Sequence, residues 1–194
     1  MSKARLQAFS DGVIAIIITI MVLELRPPHG ATVEDLTALA PTFMSYVLSF
    51  ALLGIYWNNH HHLLHVAKTV DGRVLWANLN LLFWLSMFPF ATAWIGERRF
   101  APVPVAAYGV VMVLAALAYY VLVRALIAAP GQPTALATAV GRDVKGKISP
   151  VLCAIAIPVG LVAPVVSMAI YAAVVLLWVV PDRRMERIIR SGGR

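Results

Sequence analysis

The chain has 194 residues, of which 61% are hydrophobic and only 13% charged, with a formal net charge of +7. A soluble domain is about half apolar and about a quarter charged, so this composition belongs to an integral membrane protein with little room for a separate soluble domain. The excess of cations sits between and after apolar runs, where it sets orientation and meets anionic lipid headgroups; nucleic acid is not an expected partner.

Spanning the hydrocarbon takes about 20 mainly apolar residues, and six segments qualify. The first, 4–25, carries Arg5 and Phe9-Ser10-Asp11, then runs apolar from Gly12 to Leu23 and closes on Glu24. Arg26-Pro27-Pro28 stops it, because the residue before a proline is pushed out of the helical region. It is read as a retained span and not a signal peptide, since Asp11 interrupts the run and no small-residue cleavage site follows. The second span, 34–65, starts after Thr32, which with Asp35 makes a capping-box-like TVED; it passes Pro41 and turns polar beyond Trp57. The third, 73–95, lies between Asp71-Gly72 and Glu97-Arg98-Arg99, and the fourth, 103–127, opens near Pro102 and Pro104.

Residues 129–147 form the long polar connection, read as a loop or short surface helix. The fifth and sixth spans, 148–163 and 165–180, share one apolar block divided at Pro164, with Pro158 and Gly160 able to kink the fifth. A basic tail follows Pro181. The expectation is an all-α integral membrane protein, one six-helix unit over 1–194, without internal repeats. Six spans place thirteen of the sixteen lysines and arginines on one side and leave Arg26, Arg98 and Arg99 on the other. The positive-inside rule then makes both termini cytoplasmic, in a multi-pass protein expected in a prokaryotic plasma membrane.

A carboxylate beside a membrane-grade helix marks a site with a partner. On a wheel at about 100° per residue, Phe9, Gly12, Ile16, Thr19, Ile20 and Leu23 form one stripe, while Ser10, Asp11 and Glu24 point elsewhere. Asp11 is therefore expected to seek partners on neighbouring helices. Arg5, Phe9, Ser10, Asp11, His60 and Asn78 fall near one membrane face, and buried polar groups must pair, which suggests an inter-helix network of these six residues. His61 and His65 stand at i, i+4, but no HExxH is present and no metal is assigned. No nucleophile sits beside a general base, so an enzyme is not expected.

No TVGYG loop is present, which excludes a carbonyl-cage filter. A channel could instead use a ring of aliphatic side chains as gate and sieve, with Ile16, Ile20 and Leu23 as the constriction and Thr19 offering a hydroxyl to a cation. The rival reading is a proton- or ion-coupled secondary transporter using Asp11 or Glu24, which Pro158 and Gly160 weakly support.

Arg5-x-x-x-Phe9-Ser10-Asp11, Tyr56-Trp57-Asn58-Asn59-His60-His61, Asn78-Leu79 and Pro89-Phe90-Ala91-Thr92 together resemble the lysosomal potassium channel family, transmembrane protein 175. The likeness covers roughly the first half of the chain and implies six-helix units in fourfold or pseudo-fourfold array around their first helices. Single-unit members resemble homotetramers. The resemblance implies a constriction at Ile16 and Leu23, ion coordination at Thr19, and an inter-helix network that includes Arg5, Ser10, Asp11 and His60. Ala15 stands where some members carry a hydroxyl, so the implied potassium selectivity is modest. Permeant potassium and other monovalent cations, further copies of the chain and anionic lipid are the implied partners, with no cofactor.

Overall fold

The structure, a computed structural model, describes residues 2–131 and 144–179. It contains α1 (Lys3–Val22), α2 (Val33–Thr37), α3 (Ala40–Val66), α4 (Gly72–Ser86), α5 (Phe88–Glu97), α6 (Pro102–Ala128), α7 (Val144–Val162) and α8 (Pro164–Val179), and no strand among the described residues. Among the described residues, five stretches (α1, α3, α4 with α5, α6 and α7) are long and apolar enough to cross a membrane, and the 16-residue α8 is a shorter apolar helix. The molecule is an all-α, multi-pass integral membrane protein. Most of 129–147 and the basic tail beyond Val179 lie outside the described residues.

The helix ends follow local chemistry. Ser2 caps α1 by accepting from the Arg5 N–H at 3.4 Å. The α-helix ends at Val22, short of the expected Leu25: Leu23 and Leu25 donate only three residues back, to the Ile20 and Val22 carbonyls, in a tightened last turn ahead of Pro27-Pro28. Leu23 and Glu24 therefore sit just past the helix.

Thr32 and Asp35 do form a reciprocal capping box, but it opens the five-residue α2 and not the long second span. The long helix begins afresh at Ala40-Pro41, because a proline ring excludes the carbonyl four residues before it. Pro89 acts alike in the third span, which the structure divides at Met87 into α4 and α5. At the end of α5 the Phe100 N–H reaches back to the Ile95 carbonyl, with Arg99 and Phe100 in the left-handed region (φ 47° and 60°), closing the helix as a Schellman turn does.

Inter-helix hydrogen bonds give the topology. Lys3 pairs with His65 and Ala67 and Gln7 with His61, so α3 runs antiparallel to α1. Ser10 meets Asn78 and Met21 meets Thr92, so α4 and α5 run parallel to α1. Ser49 with Tyr108 and Asn59 with Tyr119 make α6 parallel to α3. Ser167 reaches the Ala156 carbonyl and Trp178 reaches Ser149, which makes α7 and α8 an antiparallel hairpin turning at Ala163. Thr69 bonds the Pro130 carbonyl and Lys145 the Leu177 carbonyl, so the start of α1 and the end of α8 share one end of the bundle.

One apolar core joins the helices around Leu53, Leu81, Phe88, Tyr108 and Ala156. At its centre Thr92 donates to Ser49 at 2.7 Å, and Ser49 meets the Tyr108 hydroxyl at 3.0 Å, so that polar groups from three helices satisfy one another in an apolar interior. Gly109 is required here, because a Cβ would collide with the Tyr171 hydroxyl.

Candidate functional site

The first helix has two faces of nearly the same composition and opposite surroundings. Leu6, Ser10, Ile14, Ile17 and Met21 are buried against the other helices. Phe9, Gly12, Ile16, Thr19, Ile20 and Leu23 are all exposed on the single chain, Ile16 at 58% and Leu23 at 72%. The stripe read on the wheel is thus the face that α1 turns away from its own subunit. Thr19 spends its hydroxyl on the Ile16 carbonyl at 2.9 Å, which leaves its oxygen lone pairs available outward.

Three of the six network residues meet in one buried chain. Asn78 Nδ2 donates to Ser10 Oγ at 2.9 Å, Ser10 Oγ donates to the Leu6 carbonyl at 2.9 Å, and His60 Nε2 meets Asn78 Oδ1 at 2.7 Å. Ser10, His60 and Asn78 are fully buried. Because the Asn78 oxygen can only accept, His60 carries its proton on Nε2; its Nδ1 is left bare, without a hydrogen-bond partner among the described residues. The chain ties α1 to α3 through α4.

Asp11 stands apart from this chain. Its Oδ1 accepts from the Trp57 indole N–H at 3.0 Å. Arg5 and Asp11 lie about 120° apart around the helix. The Arg5 side chain is exposed and makes no hydrogen bond or ion pair among the described residues, and Phe9 is likewise exposed. An Arg5–Asp11 link is therefore not formed within this chain.

Sequence reasoning missed a regular polar ladder. Lys3, Gln7 and Asp11 recur every four residues on α1 and face His65, His61 and Trp57, which recur every four on α3. Lys3 Nζ donates to the carbonyls of His65 (3.3 Å) and Ala67 (2.9 Å), where a cation suits the negative end of α3, and Gln7 Nε2 meets His61 Nδ1 at 3.0 Å. The shared spacing of four in two antiparallel helices was the available signal. His61 and His65 stack at 6.3 Å, and no three His, Cys, Asp or Glu side chains among the described residues gather as a metal site. Glu24 is half-buried in the turn after α1.

Residues 5–89, which carry most of α1 and all of α2 to α4, with Ser10, Asp11, Trp57, His60 and Asn78, match the family described as the endosomal/lysosomal potassium channel TMEM175. A potassium channel of a Chryseobacterium species is 46% identical over 191 residues, covering 98% of this chain and 100% of that one. The chain belongs to the TMEM175 family. That family is one of ion channels, not of enzymes. The crystal structure of a lysosomal potassium-selective channel TMEM175 homologue from Chamaesiphon minutus superposes with a TM-score of 0.81 at 25% identity, over 91% of this chain and 96% of that one. The human endosomal/lysosomal proton channel TMEM175 is 38% identical over 96 residues, 43% of this chain and 19% of the human one.

Proposed function

We propose that this TMEM175 member is a homotetrameric cation channel, permeable to potassium with modest selectivity, whose pore is lined by α1. The observation that carries the reading is the exposed aliphatic stripe: Ile16, Ile20 and Leu23 face away from a helix whose opposite side, with Ile14 and Ile17, is fully packed. A helix that leaves branched aliphatic residues exposed on its own subunit, in a family of channels, suits a ring of four helices about a narrow apolar throat. Such a throat gates by dewetting and sieves by size. Thr19 adds the one hydroxyl on the stripe, able to offer its lone pairs to a partly dehydrated cation.

The spans form a single six-helix unit, with both termini cytoplasmic by the positive-inside rule. The basic segments on that side meet anionic headgroups. The two carboxylates of the transporter reading find no support: Asp11 is engaged by Trp57, and Glu24 lies beyond the helix end. The human relative is a proton channel, which adds protons to the ions worth measuring.

Purified protein in planar bilayers tests the proposal, under potassium, sodium and pH gradients. The wild type is expected to carry cation current that does not saturate as a carrier would, and Ile16→Asn to raise the current and lower the potassium preference. Absence of cation current in the wild type, or identical conduction and selectivity in Ile16→Asn, overturns the assignment.

A further inference from the structure

Helices α6 and α7 meet in a register fixed by two glycines: Gly109 packs on Ile157, and Gly160 on Val105 and Ala106. The two helices are therefore antiparallel. With Gly109 at zero on the α6 wheel, Tyr120, Arg124 and Leu117 lie at about +20°, +60° and +80°. With Ile157 at zero on α7, Ala154, Lys147 and Val151 lie at about +60°, +80° and +120°. In antiparallel helices that face each other, positive angles on both fall on the same side of the contact. These six residues thus border one groove, and all six are exposed, whereas Val123, Ser149 and Cys153, at negative angles, are buried.

The groove changes character along its length, from Leu117, Val151 and Ala154 to Tyr120, Arg124 and Lys147. Counted from the Gly109–Ile157 contact at about 1.5 Å per residue, Tyr120 and Lys147 both lie about 15–17 Å away, with Arg124 one turn further. From Pro102, at the opposite end of α6, Tyr120 is about 27 Å along the helix, close to the ~30 Å thickness of the hydrocarbon. Tyr120 therefore marks the boundary of the apolar layer, where amphipathic aromatics gather, and the two cations stand at headgroup level. No Asp or Glu occurs on α6, α7 or α8, and neither Arg124 nor Lys147 makes a hydrogen bond or ion pair among the described residues.

We propose that this groove holds one anionic phospholipid of the cytoplasmic leaflet, its phosphate gripped by Arg124 and Lys147 and an acyl chain laid along Leu117 and Val151. The arginine offers a planar fork of donors and the lysine a mobile ammonium to the phosphate oxygens, and Tyr120 adds a hydroxyl. The occupant is a lipid because two uncompensated cations continuous with an apolar wall match a molecule that is anionic at one end and apolar at the other. The groove also lies away from the helix proposed to line the pore: α1 packs on α3, α4 and α5, and α7 on α6 and α8. The proposal gives the headgroup contact stated above a specific site, and it rests on the same cytoplasmic orientation.

Full-length protein in neutral detergent, mixed with phosphatidylglycerol or phosphatidylcholine, tests it by native mass spectrometry of the retained lipid. Wild type is expected to keep phosphatidylglycerol in preference, and Arg124→Gln with Lys147→Gln to weaken that retention by about tenfold with an unchanged unfolding midpoint. Arg98→Gln with Arg99→Gln, on α5's far end, is expected to leave retention unaltered. No preference in the wild type, equal loss in the two glutamine pairs, or displacement by millimolar inorganic phosphate overturns the lipid site. Lys147→Cys, with Cys153 replaced by Ala, is expected to resist an impermeant maleimide in intact cells. Reaction there overturns the orientation and this site together, and disulfide-linked dimers of the same variant would put a second copy in the groove and overturn the site. Potassium current in phosphatidylcholine bilayers separates the site from the pore: a wild type that conducts yet shows no lipid preference overturns the groove alone.

Discussion

The Trp57 indole donates to the Asp11 carboxylate across 3.0 Å, joining the motif aspartate of the first helix to the second long helix. Together with Gln7 and Lys3, one and two turns below, this contact fixes the rotation of α1 about its own axis. That rotation turns Ile16, Ile20 and Leu23 outward, so the polar residues act on the stripe by holding the helix that carries it.

Trp57→Phe keeps the aromatic bulk and removes the donor. A hydrogen bond to a charged group is worth about 1.5–3 kcal/mol, with no more than the lower end appropriate at this exposed site. The expected outcome is a thermal unfolding midpoint several degrees lower in detergent, with unitary conductance retained because Trp57 is off the stripe. An unchanged midpoint means that the contact does not anchor α1.

Asn78→Leu strikes harder. It strands the His60 Nε2–H and one side of Ser10 in a fully buried setting, at about 1–3 kcal/mol for each unsatisfied group. The variant is expected to lose more stability than Trp57→Phe, measured by the same unfolding, and Asn78→Gln, which can reach only one of the two partners, to fall between. Equal midpoints for Asn78→Leu and wild type would remove the buried chain from the account.

The capping box outside the membrane titrates. The Thr32 hydroxyl and then its backbone N–H bond the Asp35 carboxylate and hold its pKa below the ordinary value of 3.8. A lowered folded-state pKa means the cap contributes fully above the ordinary carboxylate range and is lost as pH falls through the lowered value. Carboxyl-carbon NMR is expected to show Asp35 titrating below the other exposed acids, and Thr32→Ala to move it back up. A titration of Asp35 that is the same in Thr32→Ala denies the cap.

Apolar runs of membrane length are legible in composition, and so are the prolines that bound them. Whether a proline merely bends a helix or restarts it is decided by packing, and so Pro41 and Pro89 gave divided elements where continuous spans were expected. Ser10, His60 and Asn78 stood out as polar residues in apolar surroundings, and their meeting follows from the need to pair. Which partner Asp11 takes did not follow from charge: the nearest cation in sequence, Arg5, lies on another side of the helix, and an indole on the same seam was closer. The two faces of α1 pose the same difficulty in purer form. Ile16 and Ile17 are one amino acid, and only the neighbours of α1 make one exposed and the other buried.

The central claim is that the outward stripe of α1 lines the ion path. Its most direct measurement is potassium current through Leu23→Cys and Met21→Cys, each with Cys153 replaced by Ala, before and after a cationic methanethiosulfonate is applied. The account predicts that Leu23→Cys is blocked and Met21→Cys, 1% exposed on the packed face, is untouched. Block at Met21→Cys with Leu23→Cys insensitive, or no block at either, would contradict it.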